Sequence, residues 1–111
     1  MELVRHQHGP VAVLAIRGAM ISDGLEVFDA GVRECLRSGA SRIVLEMVQV
    51  PFIDSAGLER IQDLAVEAAK RGGDVRACLL NEVCRDIFKA TRLDVIIQNF
   101  DDRDGAVRSL L

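Results

Sequence analysis

The chain has 111 residues, half of them hydrophobic and 28% charged, which suits one domain with its own core and argues against disorder. Fourteen basic against seventeen acidic residues leave a net charge of −3, and there is no Trp or Tyr and only four Phe. These values argue against a direct nucleic-acid binder, an anionic-membrane binder and a base-stacking platform.

In chain order, Leu3 to Gln7 and Val11 to Arg17 read as two strands. His8-Gly9-Pro10 is a tight turn between them, so they pair antiparallel. Gly18 ends the second strand. Ser22 or Asp23 is positioned to cap a first helix, whose buried face carries Leu25, Phe28, Val32, Cys35 and Leu36, with Gly39 as its stop. Ile43 to Val48 is almost wholly apolar and predicts a central strand covered on both faces. Pro51 limits its pairing.

A second helix runs from Ser55 to Arg71 with Leu58, Ile61, Ala65 and Ala68 inward, and Gly72-Gly73 ends it. Val75 to Leu80 is the next strand. Asn81 caps a short helix with Val83, Ile87 and Phe88 inward. Val95 to Gln98 predicts a last short strand, and a final helix covers Arg103 to Leu111. The order is ββαβαβαβα. Strands joined through single helices run parallel, so residues 1–111 are expected to form one α/β domain with a mixed, mostly parallel sheet.

Cys35, Cys78 and Cys84 form no CxxC and leave an odd thiol over, which reads as reduced cysteines of a cytoplasmic protein. The N-terminus is polar and charged, unlike a signal peptide. No apolar run nears the roughly 18 residues of a membrane span.

Catalytic and metal signatures are weak. Ile53 stands where a nucleophile elbow around Ser55 needs Gly, and the only histidines are His6 and His8. Those two share a strand face, but no further ligands accompany them, so no metal is expected. Asp101, Asp102 and Asp104 before Gly105 suggest a calcium loop, yet an EF-hand loop starting at Asp102 would run past Leu111; a helix-capping turn is the better reading. There is no P-loop or GxGxxG, and no cofactor is implied.

What remains is Val50-Pro51-Phe52-Ile53-Asp54-Ser55-Ala56-Gly57-Leu58, an apolar strand entering a small-residue turn that opens a helix. Asp54 or Ser55 serves as an N-cap. A hydroxyl there is also accessible, and a phosphate on it would meet free N–H groups and the positive end of the helix dipole. Ala56 and Gly57 are small enough to let a partner approach.

With Ile43-Val44-Leu45-Glu46 before it, and Arg71-Gly72-Gly73, Val75 to Leu80, Glu82 to Thr91 and Phe100 to Leu110 after it, this segment resembles a STAS domain. The nearest type is the free-standing bacterial anti-sigma-factor antagonist. The resemblance implies a non-enzymatic protein that binds an anti-sigma factor with serine-kinase activity and so frees a sigma factor in transcription control. It also implies Ser55 as the phosphoacceptor whose modification blocks binding, and a PP2C-type phosphatase that reverses the block. The implied partner surface is Gly18, Ile21, Ser22 and Asp23 together with Asp54, Ser55, Ala56, Gly57 and Leu58. Three positions depart from the pattern: Ile21 where an acidic residue is frequent, Glu46 where Asp or Asn is common, and Arg92 where a small residue is usual. The alternative reading is a STAS subunit docked on the ATPase of a lipid-transporting ABC complex. A multi-copy stress scaffold would require partner chains or a sensor domain. The charge and surface composition permit a monomer.

Overall fold

The computed structural model describes all residues, Met1 to Leu111. Its elements are β1 (Glu2–His8), β2 (Val11–Arg17), α1 (Leu25–Arg37), β3 (Arg42–Gln49), α2 (Ser55–Lys70), β4 (Asp74–Cys78), α3 (Glu82–Ala90), α4 (Leu93–Ile96), β5 (Asn99–Phe100) and α5 (Arg103–Arg108). The sheet order is β1-β2-β3-β4-β5. β1 is antiparallel to β2, and every other pairing is parallel. The mixed sheet and the expected order are therefore present, with one helical turn, α4, added.

The middle strand explains the apolar run. Along β3, Ile43, Leu45 and Met47 join the larger core with Ala12, Leu14 and Ile16 of β2, under α1, α2 and α3. Val44 points the other way, with Val11, Val13 and Cys78, and is covered by Ala106, Val107 and Leu110 at α5. Burial on both faces removes any need for alternation.

Several local expectations change. Neither Ser22 nor Asp23 caps α1: Gly24 holds that position at φ 94° and no side chain bonds to the helix start. Ser22 is turned instead toward Asp54. The buried face of α2 is Gly57, Ile61, Leu64 and Ala68, and Leu58 and Ala65 are half-buried. On α3 the inward residues are Cys84 and Phe88, four apart, while Val83 is 49% exposed and Ile87 half-buried.

The last strand is not Val95 to Gln98. Arg92 adopts φ 60° and starts the turn α4, closed by the Ile97 amide donating to the Leu93 carbonyl at 2.8 Å. Leu93 and Ile97 are buried at i, i+4, whereas Val95 is 75% exposed, a helical burial pattern and not the alternation of a strand. Pairing to β4 begins only at Asn99. Strand β4 stops at Cys78 because Leu79 turns to φ 61°. The final helix ends at Arg108, three residues short of the expected end, and its cap is Asp102, which accepts the Gly105 amide at 2.6 Å. That bond gives the acidic turn its structural use.

Candidate functional site

The carboxyl ends of the parallel strands β2 and β3 leave the sheet side by side and carry two turns together. The Met20 amide donates to the Phe52 carbonyl, and the Asp54 amide to the Met20 carbonyl, both at 3.0 Å. This bridge extends the β2–β3 pairing past Pro51 through Met20 and Ile53. It brings the turn Gly18–Asp23 beside Asp54 and Ser55.

Gly57 makes the approach feasible. A Cβ there would run into the Met20 carbonyl oxygen and lie 3.0 Å from Ile53 Cγ2. Gly57 is buried, so its smallness is used within the fold, against Met20, and not to admit a partner. Ala56 is half-buried beside it.

Asp54 ties the two turns. Its backbone is extended, and Oδ1 accepts the Gly57 amide at 2.8 Å, capping α2. Oδ2 accepts the Ser22 amide at 3.0 Å, and the Ser22 hydroxyl lies 3.4 Å away. Hydrogen bonds from the Gly57 and then the Ser22 amide hold the Asp54 carboxyl below the usual carboxylate range. Asp54 is thus ionised at neutral pH and committed to both turns.

Ser55 is the first residue of α2 and is exposed. Asp54 does the capping, so the Ser55 hydroxyl has no internal bond to lose. Beside it, Ser55, Leu58, Glu59, Gln62, Thr91, Leu93 and Ile96 line a cleft of about 270 Å³ between α2 and α4. Its only charged lining side chain is acidic, Glu59. Phe52, just upstream, is 47% exposed, and Ile21, Ser22 and Asp23 are all exposed. A larger open groove of about 700 Å³ lies between α1 and α2, but none of the motif residues lines it, and Arg60 to Asp29 bridges it at 3.1 Å.

Sequence reading missed two contributors. The wall made by α4 was hidden by the strand assignment of Val95 to Gln98. Asn81, expected only to cap α3, also donates from Nδ2 to the Val50 and Pro51 carbonyls at 3.3 Å each. None of the three thiols lines the Ser55 cleft, although Cys84 Sγ lies 3.4 Å from the Val50 carbonyl. Burial raises Cys35 and Cys84, and burial followed by the Glu46 charge pushes Cys78 up to about 12. All three are buried free thiols. No helix is long and apolar enough to cross a membrane.

Together these features define an α/β module that presents a free hydroxyl at a helix N-terminus, between two hydrogen-bonded turns and a cleft of mixed polar and apolar lining. The chain belongs to the STAS domain family, whose model matches residues 2–106. Its fold neighbours include a candidate anti-sigma factor antagonist from Thermotoga maritima, with 23% identity and TM-score 0.92 over 97% of this chain and 93% of that one. An anti-sigma factor antagonist from Mycobacterium paratuberculosis matches with 17% identity and TM-score 0.87 over 97% and 92%. The Bacillus cell fate determinant SpoIIAA, in its phosphorylated form, matches with 16% identity and TM-score 0.74 over 96% and 98%. At these identities the likeness establishes the fold. Among curated protein sequences none matches this chain.

Proposed function

We propose that this chain is an anti-sigma-factor antagonist. It binds an anti-sigma factor that is also a serine kinase, and phosphorylation of Ser55 ends the binding. The observation that carries the reading is the exposed, unbonded Ser55 hydroxyl on the first residue of α2, directly after a cap supplied by Asp54.

The kinase transfers the γ-phosphoryl group of ATP to Ser55 Oγ, ADP leaves, and a base of the kinase takes the hydroxyl proton. Asp54 is a poor base for that step, because its carboxyl is held ionised by the Gly57 and Ser22 amides. The product adds about −1.5 to −2 charges at neutral pH. Asp54 and Glu59 already make the surroundings negative. In a water-excluding interface the added charge is repulsive unless the partner brings cations. A PP2C-type phosphatase restores the free hydroxyl. The chain itself performs no chemistry.

The test is affinity capture from a lysate of the source cells with wild type and with Ser55→Asp as bait, read by mass spectrometry. Recovery of a small ATP-binding serine kinase with wild type and its loss with Ser55→Asp is the expected result. Recovery of an ABC-transporter ATPase with both baits overturns it and moves the protein to lipid transport.

A further inference from the structure

Residues Val50 to Asp54, which lead into Ser55, belong neither to β3 nor to α2. On one side this segment is held by the backbone of Met20. On the other it is held by α3. The Asn81 side chain uses both of its ends: Oδ1 accepts the Cys84 amide at 2.7 Å and caps α3, while Nδ2 donates to the carbonyls of Val50 and Pro51. The buried Cys84 thiol adds a contact of 3.4 Å to the same Val50 carbonyl. The Asn81 contacts cross 30 and 31 positions of sequence, so they are tertiary ties and not local turn chemistry.

We propose that Asn81 is a positioning residue of the Ser55 site. Its amide fixes the Val50–Asp54 segment and thereby presents Ser55, Asp54 and the Gly18–Asp23 turn in one arrangement to the partner. The Asn81 cap alone would be served equally by Asp or Ser. Neither residue type supplies the amide donors. An aspartate in this place would moreover set a carboxylate against two carbonyl oxygens. The functional half of this inference rests on the proposed binding role of Ser55; the structural half does not.

The experiment compares Asn81→Asp and Asn81→Ser with wild type in two arms. Amide hydrogen exchange on the isolated chain comes first. Asp54 and Gly57 amides are expected to exchange about tenfold faster in both variants, as for losing about 1.4 kcal/mol of local protection. The Arg85 and Phe88 amides of α3, and those of β2 and β3, accelerate by no more than this factor, through the shared loss of global stability. Wild-type exchange at Asp54 and Gly57 in both variants would show that Asn81 is only a cap and overturns the proposal. The second arm measures affinity for the kinase captured by wild type. About tenfold weaker binding is expected at a temperature well below the melting point of every variant, and unchanged affinity with faster loop exchange overturns the positioning role. If wild type captures no kinase, the proposed function fails while the exchange arm still decides the latch.

Discussion

Replacing Gly57 by Ala sets two effects of opposite sign against each other. Inside a helix Ala is better than Gly by about 1 kcal/mol. At Gly57, however, the added methyl runs into the backbone carbonyl of Met20 and sits 3.0 Å from Ile53 Cγ2. A carbonyl that is already accepting the Asp54 amide has little freedom to swing away. Overpacking of this kind costs about 1–3 kcal/mol, and the upper end applies because the obstacle is backbone. The expected net loss is about 2 kcal/mol, or about 8 °C in melting temperature for a domain of this size. Gly31→Ala is the control. There the nearest atoms are the far end of the Leu3 side chain, at 2.7 Å from Cδ2, which can rotate, so the propensity gain offsets most of the contact. Thermal unfolding by circular dichroism measures both. A Gly57→Ala melting temperature equal to or above wild type would refute the claim that close approach to Met20 dictates glycine. Because the displaced carbonyl belongs to the bridge between the two turns, Gly57→Ala should also weaken partner capture at temperatures where it remains folded.

Asp54 predicts an acid response of defined sign. Its folded carboxyl lies below the unfolded value of about 3.9, so its contribution is fully present above that pH and is lost as pH falls through the lower folded value. The Ser22 and Gly57 amide resonances should therefore move together, with a midpoint below about 3.9; a midpoint at or above it contradicts the shared-carboxylate geometry. The cysteines predict the alkaline limb. Cys78 holds its proton to about 12 in the fold, whereas an unfolded thiol ionises near 8.5, so stability should fall as pH rises above about 8.5. Thiol labelling at pH 8 should proceed only at the rate of unfolding, and fast labelling of Cys78 in the folded chain would contradict its burial. Beside Cys78, Glu46 of β3 is mostly buried, and Arg103 Nε donates to its carboxylate at 2.7 Å. Arg103→Ala strands that carboxylate and should cost about 2 kcal/mol in urea unfolding. The double variant with Glu46→Gln should recover most of the loss, and simple additivity would show that the pair is uncoupled.

The order of elements is legible because the apolar pattern changes period at each junction. Ile43 to Val48 of β3 is apolar but for Glu46, with side chains buried on both faces, and α2 carries a helical stripe. Asp54, Asn81 and Asp102 are legible as caps since their bonds reach only three residues ahead. Long-range uses are hidden for the same reason. Ser22 looks like an α1 cap until Asp54, 32 residues away, takes its amide. Gly57 looks like an open door for a partner until Met20 fills the space. The β-branched run after Arg92 has strand composition, and only the burial of Leu93 and Ile97 reveals a helical turn.

On the proposed reading, the division of labour between Asp54 and Ser55 is what makes a reversible switch compatible with a stable fold. Had the Ser55 hydroxyl been the cap, phosphorylation would remove an internal acceptor and perturb α2. Asp54 carries that bond, and carries the Ser22 tether as well. A phosphate on Ser55 therefore adds charge without breaking an internal hydrogen bond. The helix N-terminus favours the anion, which offsets part of the repulsion from Asp54 and Glu59 within the free protein. A docked partner screens that repulsion less, because it excludes water. The modification thus destabilises the complex more than the monomer. Amide shifts on phosphorylation should accordingly be confined to the Gly18–Asp23 turn, the first turn of α2 and the cleft wall at α4. Shifts spread across β1 to β4 would mean that the switch works by refolding, and would remove the electrostatic account.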